Sequence, residues 1–281
     1  MNRLLVFQSD FGLADGAVAA MIGVAHDVDM DLKIYNITHD IAPYNIWEAS
    51  YRLFQSVQFW PKGTVFVSIV DPGVGSDRKA VVARTKGGHY IVTPDNGTLT
   101  HIKKFIGIES VREIEEAIHR RETSEYSHTF HGRDVFAFTG AKLASQKISF
   151  EEVGEKLKED SPVEMEVGGV FKTQDSIMGN IDILDVRFGS LWTNIPREDF
   201  LSIGFKYGDR VEVSIKNGPT LIYNNRIVFG KSFADVYVSE QIIYVNSLLR
   251  MALAINQGNF AKAYNIGTGL YWTIEFKKTI Q

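Results

Sequence analysis

The sequence contains no cysteine in its 281 residues. Disulfide bonds, thiolate nucleophiles and zinc sites built on cysteine are therefore excluded. Long hydrophobic runs are also missing, since no apolar stretch approaches the roughly 18 residues that a membrane helix requires. The first residues, Met1 to Phe7, give way to the polar Gln8-Ser9-Asp10 too early for a signal peptide. We therefore expect a cytoplasmic protein without a membrane partner.

Positive charge is neither in excess nor concentrated in one part of the chain. Lysine and arginine total 30 residues against 34 aspartates and glutamates, which gives a formal net charge of −4. Because a nucleic-acid surface needs clustered positive charge to meet the phosphates, we expect no nucleic-acid partner. A small neutral or cationic ligand fits this composition better.

Several common motifs are incomplete or missing. Gly73-Val74-Gly75 has Arg78 where a dinucleotide fingerprint needs its third glycine, and no Walker lysine follows a glycine loop. No Gly-x-Ser-x-Gly nucleophile elbow occurs. His128 and His131 form a close pair, but no acidic residue completes a metal-binding spacing that we recognise. The sequence therefore predicts neither a metal nor a cofactor.

The first half of the chain alternates between strand and helix patterns, which predicts an α/β domain with a mainly parallel sheet over residues 1–166. A capping-box pattern at Ser149 to Glu152 predicts a short helix that ends near Lys158. Strands are expected at Leu4 to Phe7, Ile34 to Thr38, Thr64 to Val70, Ala80 to Arg84 and Tyr90 to Thr93, and helices from the Asp15 region to about Ala25, from Asn45 to Phe59, near Glu113 to His119 and after Asp134.

The second half, residues 172–281, follows a boundary marked by Pro162 and Gly168-Gly169, and short β runs dominate it. Asn217-Gly218 and Asn224-Asn225 are turn signals between strands, so a smaller all-β domain, a barrel or a sandwich, is predicted. The expected strands are Ile177 to Val186, Leu191 to Thr193, Arg210 to Ile215, Leu221 to Phe229, Ala234 to Val238, Ile242 to Val245 and Tyr271 to Phe276.

Polar residues follow several of the predicted N-terminal strands. Ligands of open α/β sheets lie beyond the carboxyl ends of the strands, so these residues are candidates for one site. Each also has a simpler interpretation, because Asp71-Pro72-Gly73 is typical of a surface turn and Asp10 and Asp15 are typical of turns and helix caps. The candidates are Asp10, Asp71, Arg78, Asn96 and His131.

Taken together, six stretches resemble successive motifs of the S-adenosylmethionine hydroxide adenosyltransferases, a family related to fluorinating and chlorinating enzymes. These are Gln8 to Gly12, Val70 to Arg78, Pro94 to Gly97, Thr129 to Asp134, Asp185 to Ile195 and Asn256 to Gly258. The resemblance implies an N-terminal α/β domain and a C-terminal β-barrel. It also implies a homotrimer with substrate between one subunit's N-terminal domain and a neighbour's C-terminal domain. The implied reaction splits S-adenosylmethionine with water into adenosine and methionine, without a cofactor.

The resemblance also implies roles for individual residues. The catalytic set falls on Asp71, Arg78 and His131, with a tyrosine in place of Asp71 in the halogenating relatives. Asp10 would bind the ribose hydroxyls and Tyr44 would lie along the sugar. The whole substrate-binding set is Asp10, Asp15, Tyr44, Asn96, Asp185, Ser190, Phe233, Ser247 and Gln257, in which Asp15, Asp185 and Ser247 would hold the methionine end and groups near Phe233 and Gln257 would meet the adenine.

Two positions depart from the family pattern, Ser190 in place of the usual asparagine and Leu248 in place of a frequent arginine. They leave open a second function, an adenosyl-binding module without turnover. A third is halide transfer to S-adenosylmethionine.

Overall fold

The computed structural model describes residues 4–124 and 129–279. Contacts divide the chain into two compact units, which we call the N-terminal unit, Met1–Met165, and the C-terminal unit, Glu166–Gln281. None of the helices in the described ranges is long and apolar enough to cross a membrane.

The N-terminal unit is built on a seven-stranded sheet, and the predicted α/β class with a mainly parallel sheet is confirmed. Its elements are β1 Leu4–Ser9, α1 Ala17–Val28, β2 Lys33–Thr38, α2 Ile46–Val57, β3 Val65–Ile69, β4 Ala80–Thr85, β5 Tyr90–Pro94, α3 Thr100–Phe105, β6 Ile108–Glu113, α4 Glu116–His119, α5 Phe138–Ala144 and β7 Lys156–Leu157. The strand order is β2-β1-β3-β5-β4-β6-β7. The first four of these pair in parallel, and β4 runs antiparallel to β5 and β6.

Helices cover both faces of this sheet because the buried strands alternate their side chains between two apolar surfaces. Leu5 and Phe7 pack in one core cluster with α1 and α5. The neighbouring side chain, Gln8, turns the other way, and its Nε2 donates to the carbonyl of Ala49 in α2 at 2.8 Å. A Cβ at Gly140 of α5 would lie 2.4 Å from Cγ2 of Val67, so the absent side chain lets α5 approach β3 closely.

The segment after α4 contains His131, one of the candidate site residues. A 3₁₀ turn spans Glu122–Ser124, and a π-helical stretch, Gly132–Ala137, runs directly into α5. Of the predicted histidine pair, His131 precedes the π-helical stretch, whereas His128 lies outside the described residues. π-Helical turns are rare and frequently occur at functional sites.

The helix predicted from the capping box at Ser149 is wrong. Half of the box forms, because the Ser149 N–H donates to the Glu152 carboxylate at 2.7 Å, but only a 3₁₀ turn, Glu151–Val153, follows. Gly154 then adopts a φ of 148°, and a Cβ there would lie 2.2 Å from the carbonyl oxygen of Glu113. The chain therefore turns at Gly154 into β7 instead of continuing as a helix.

The C-terminal unit is a closed seven-stranded β-barrel with one short extra strand, which confirms the predicted all-β, barrel-like class. Its elements are β8 Phe171–Lys172, β9 Ser176–Leu184, β10 Leu191–Pro196, α6 Arg197–Ser202, β11 Arg210–Asn217, β12 Thr220–Phe229, β13 Gln241–Val245, β14 Arg250–Ile255, α7 Phe260–Tyr264 and β15 Trp272–Lys278. The order β10-β14-β13-β12-β11-β15-β9 closes through pairing of β9 with β10, and β8 adds to β9. Buried side chains such as Phe200, Phe229 and Phe276 fill the core.

Two details of the barrel prediction are wrong. Asn224 and Asn225 do not form a turn, since they lie inside β12 opposite Ser214 and Val213 of β11. The predicted strand Ala234 to Val238 is instead a 3₁₀ turn, Phe233–Asp235, capped by Ser232. The turn at Asn217-Gly218 is confirmed, because β11 and β12 pair across it.

Candidate active site

The carboxyl ends of β1 and β3 deliver two aspartates to the same edge of the sheet. Ser9, the last residue of β1, pairs with Ile69, the last residue of β3. Asp10 follows Ser9 directly, and Asp71 comes two residues after Ile69. Parallel strands thus set both carboxylates at the edge where open α/β sheets bind ligands.

Asp71 and Arg78 form a bidentate ion pair across the loop between β3 and β4. Arg78 Nε donates to Oδ1 and Oδ2 of Asp71 at 3.0 and 3.1 Å, and its Nη2 donates to Oδ2 at 2.7 Å. Both side chains are largely buried, with 9% and 6% of the Arg78 and Asp71 side chains exposed. The loop between them is exposed, as a surface turn would be, but it brings a planar guanidinium onto a carboxylate in the geometry of a strong pair.

His131 joins this pair from 53 residues further along the chain. Its Nδ1 lies 3.0 Å from Nη2 of Arg78. The guanidinium of Arg78 also lies over the buried ring of Phe136, with 5.1 Å from Cζ to the ring centroid. The three residues predicted as the catalytic set are therefore in contact with one another, with Arg78 in the middle.

Arg120, which directly follows α4, also contacts His131, and Glu116 of α4 binds Arg120; the sequence analysis identified neither residue. Arg120 Nη2 lies 3.0 Å from Nε2 of His131 and donates to Oε2 of Glu116 at 2.6 Å. Burial lowers the pKa of His131, the charges of Arg120 and Arg78 lower it further, and those of Glu116 and Asp71 raise it. The i, i+4 spacing of Glu116 and Arg120 indicates an ion pair on a helix, but no local pattern connects that pair to His131.

A cavity of about 380 Å³, which we call the N-unit cavity, opens beside these residues. Asp71 and His131 line it, together with two residues predicted to bind the sugar, Asp10 and Tyr44. The remaining lining residues are Phe11, Pro43, Ile69, Val74, Thr129, Phe130 and Gly132. The cavity thus combines carboxylates and an imidazole with aromatic walls, which suits a polar ring carrying hydroxyl groups.

Asp15 and Asn96 lie outside the described lining of the N-unit cavity. Oδ1 of Asp15 accepts from the N–H of Ala17 at the start of α1. The Asn96 amide donates to the carbonyl of Val70 at 2.8 Å, and its Oδ1 accepts from the Thr98 hydroxyl. Asn96 therefore fixes the strand end that precedes Asp71, and substrate contacts by Asp15 and Asn96 stay predictions.

The C-terminal unit contains a second cavity of about 790 Å³, which we call the C-unit cavity. Four residues predicted to bind substrate line it: Asp185, Ser190, Phe233 and Gln257. The other lining residues are Arg187, Phe188, Tyr244, Ile255, Asn256, Gly258 and Asn259. Ser247 lies in the exposed turn between β13 and β14, outside this described lining, and its predicted role stays a prediction.

The polar groups of the C-unit cavity are held by local hydrogen bonds. Asp185 Oδ1 accepts from the N–H groups of Arg187 and Phe188 at 3.1 and 3.2 Å. The side chains of Ser190 and Tyr244 are hydrogen-bonded, and burial raises the pKa of Tyr244. This polar end contrasts with Phe233, whose ring packs 5.1 Å from that of Tyr244, centroid to centroid.

Comparison with known proteins matches both units of this chain to one enzyme family. Residues 5–154 match the model of the SAM hydroxide adenosyltransferase N-terminal domain, and residues 179–273 match that of the C-terminal domain. The chain therefore belongs to the SAM hydroxide adenosyltransferase family, as its motifs predict.

Three similar proteins illustrate the range of the family. The chain is 36% identical to the (R)-S-adenosyl-L-methionine hydrolase of Methanocaldococcus jannaschii over 94% of this chain and 92% of that protein. It is 25% identical to a fluorinase of Actinopolyspora mzabensis over 95% of each chain. The crystal structure of an uncharacterized conserved protein from Thermotoga maritima superposes with a TM-score of 0.87 at 32% identity, covering 98% of this chain and 100% of that one.

Proposed function

We propose that this protein hydrolyses S-adenosyl-L-methionine to adenosine and L-methionine. The observation that carries the proposal is the Asp71–Arg78–His131 contact at the wall of a cavity that also presents Asp10 and Tyr44. The 36% identity to a protein named (R)-S-adenosyl-L-methionine hydrolase supports hydrolysis, and we extend the proposal to the R configuration at sulfur.

The hydrolysis requires activation of the water nucleophile, whereas the sulfonium leaving group needs little assistance. The water oxygen forms a bond to C5′ of the ribose while the C5′–S bond breaks. The electron pair of the broken C5′–S bond stays on sulfur and converts the sulfonium into the neutral thioether of methionine. One proton leaves the water. Because water has a pKa of about 15.7, free hydroxide at pH 7 would cost roughly 12 kcal/mol, so the site must assist as the bond forms.

Each member of the set has a role that suits this need. Asp71 accepts a hydrogen bond from the attacking water and orients it, and Arg78 stabilises the negative charge that develops on oxygen. His131 in its neutral form accepts the proton. Holding the oxygen about 3–3.5 Å from C5′, opposite sulfur, supplies much of the remaining acceleration.

The substrate contacts follow the resemblance. Asp10 binds the ribose hydroxyls and Tyr44 lies along the sugar. Asp15, Asp185 and Ser247 hold the methionine end, and groups near Phe233 and Gln257 meet the adenine. The assembly is a homotrimer in which residues of different subunits complete each site. The cytoplasmic location stays a prediction.

The test is product analysis with each sulfonium epimer supplied separately. Purified protein is incubated with (R)- or (S)-S-adenosylmethionine in water enriched in the heavy isotope of oxygen. The products are separated by chromatography, and their masses are measured by mass spectrometry. We expect adenosine from the R epimer with the heavy oxygen at the 5′ position. Tight binding without adenosine at high enzyme concentration would favour the binding module, and 5′-halogenated adenosine would favour halide transfer.

A further inference from the structure

Each ring nitrogen of His131 faces a guanidinium. Arg78 Nη2 lies 3.0 Å from Nδ1, and Arg120 Nη2 lies 3.0 Å from Nε2. His131 itself is 6% exposed. The two arginines approach from different elements, since Arg78 precedes β4 and Arg120 directly follows α4.

Each of these two guanidinium nitrogens also donates a hydrogen bond to a carboxylate. Arg78 Nη2 donates to Oδ2 of Asp71 at 2.7 Å, and Arg120 Nη2 donates to Oε2 of Glu116 at 2.6 Å. The imidazole thus lies between two carboxylate–guanidinium pairs. Only one of the pairs reaches the N-unit cavity, because Asp71 lines it whereas Arg120 and Glu116 are outside its described lining.

This arrangement discriminates between the protonation states of the ring. A guanidinium donates hydrogen bonds and accepts none, and it stays charged in proteins. A neutral imidazole offers one acceptor nitrogen, so one of the two contacts is a hydrogen bond. An imidazolium offers none, and both of its N–H groups would point at N–H donors that carry positive charge. The array therefore favours the neutral ring.

We propose that Arg120, anchored by Glu116, is a positioning residue of this active site that fixes the His131 ring and keeps it neutral before each turnover. The proposal rests on the proposed function in one respect, since neutral His131 is the form that accepts a proton there, and the two guanidiniums then favour release of that proton to solvent. Arg120 is outside the described lining of the N-unit cavity and acts only through His131.

The charged groups that act on His131 come from both sides of the ring. After burial, which is the largest influence lowering the pKa of His131, Glu116 raises it and Arg120 and Arg78 lower it, while Asp71 raises it. Neutralising Arg120 and neutralising Glu116 should therefore move the protonation of His131 in opposite directions. General loosening of the fold would not produce opposite shifts.

The experiment follows the histidine ring directly by NMR of protein labelled with carbon-13 in its imidazoles. The chain has seven histidines, and the His131 signal is assigned by its loss in His131→Asn. We expect Arg120→Gln to raise the midpoint of the His131 titration by about one pH unit. Glu116→Gln should lower it, because the amide oxygen still accepts from Arg120 and only the negative charge is lost. Arg120→Lys keeps the charge, so its His131 midpoint should stay close to that of the parent protein.

A matched control removes a neighbouring carboxylate. Glu115 directly precedes Glu116, and its charge acts on His119, whose pKa burial lowers and Glu115 raises. Glu115→Gln should shift the titration of His119 and leave that of His131 in place. Thermal melting of every variant shows which are folded, and Glu116→Gln and Arg120→Lys carry the test if Arg120→Gln does not fold.

Activity supplies the second readout. With Arg120→Gln, the acidic limb of kcat for adenosine formation should move to higher pH together with the NMR midpoint, with little change in KM. An unchanged His131 titration in Arg120→Gln and Glu116→Gln, or shifts of the same sign in both, would overturn the role of Arg120. A protein whose titrations shift as expected but which makes no adenosine would refute the proposed function alone.

Discussion

The backbone N–H of Tyr44 donates a 2.8 Å hydrogen bond to Oδ2 of Asp10, 34 residues earlier in the chain. Tyr44 adopts a φ of 66°, a left-handed conformation that a bulky residue rarely takes without support from its surroundings. Its side chain is 73% exposed and lines the N-unit cavity. Asp10 therefore has a structural task, holding the loop that presents Tyr44, in addition to its proposed contact with the ribose.

Variants of Asp10 separate these two tasks. Asp10→Asn keeps an oxygen that accepts from the Tyr44 N–H, whereas Asp10→Ala removes both that acceptor and the charge. Because a hydrogen bond to a charged group contributes about 1.5–3 kcal/mol, Asp10→Ala should weaken adenosine binding by about 10- to 100-fold. Isothermal titration calorimetry measures this. The adenosine affinity of Asp10→Asn should lie between those of Asp10→Ala and the parent protein. Equal affinities of all three would show that Asp10 does not bind the ribose.

Asp71→Asn should abolish most turnover while adenosine still binds, because the proposed role of Asp71 concerns the water and not the nucleoside. The variant should also lose about 3 kcal/mol of unfolding free energy, since it leaves the buried Arg78 guanidinium without its full partner. Chromatographic rate assays, calorimetry with adenosine and urea unfolding give the three quantities. Near-normal turnover in Asp71→Asn would show that the catalytic assignment is wrong.

The double variant Asp71→Asn/Arg78→Met is the control for that loss of stability. Removing the second charge eliminates the uncompensated guanidinium, so the double variant should recover part of the unfolding free energy without recovering activity. His131→Ala, which leaves the Asp71–Arg78 pair intact, should lose turnover with a smaller cost in stability.

Much of the N-terminal fold follows from the sequence because its parallel strands are short continuous apolar runs followed by polar residues. Leu4 to Phe7 and Thr64 to Val70 are of this kind, and β1 and β3 form within a residue or two of them. The carboxylates at their ends are therefore predictable as neighbours. Arg120 is not, because its contact with His131 depends on where α4 lies in the folded unit.

The barrel was harder to predict because its pairing overrides local preference. Arg250–Ile255 forms β14, although its Met-Ala-Leu-Ala sequence is typical of a helix and shows no alternation. It is buried along nearly its whole length and is bonded to β10 and β13. Asn224 and Asn225 favour a turn locally, yet pairing with β11 holds them in a strand.

Stability should fall as the solution is acidified below pH 6.5, because three buried histidines have lowered pKa values. Burial is the main cause for His39, His119 and His131. The unfolded chain then binds protons that the folded chain resists, so the unfolding free energy decreases as pH falls from 6.5 toward the folded pKa values. Each histidine contributes at most about 1.4 kcal/mol per pH unit.

Urea unfolding between pH 7.5 and 5.5 measures this slope, and His39→Gln provides the comparison. His39 is 3% exposed, and its Nδ1 lies 2.7 Å from the hydroxyl of Ser9. His39→Gln should flatten the pH dependence. A stability that rises on acidification would contradict the assignment. Asp95, whose pKa is raised by burial, acts in the opposite sense at lower pH, which is why the measurement stops at pH 5.5.

Light scattering should give the mass of three 31.6 kDa chains. Separating the subunits should then abolish adenosine formation, because the proposed sites combine Asp71 of one subunit with the Asp185 to Ile195 segment of another. Activity and mass are measured together across a dilution series. A monomer with full activity would contradict the trimer and leave the hydrolysis proposal standing.

The product should be adenosine even in concentrated chloride. A halide entering the N-unit cavity would meet the carboxylates of Asp10 and Asp71, both of which line it. At about 4 Å and an effective dielectric near 20, one carboxylate repels an anion by around 4 kcal/mol, and the pairing of Asp71 with Arg78 offsets part of that repulsion. Water meets no such barrier, and Asp71 can accept its hydrogen.

Chromatography with mass detection, run with and without chloride, measures the yield of each nucleoside product. Asp71→Asn serves as the comparison, because it lowers the repulsion. A substantial yield of 5′-chloro-5′-deoxyadenosine from the parent protein would mean that Asp71 does not select water as the nucleophile.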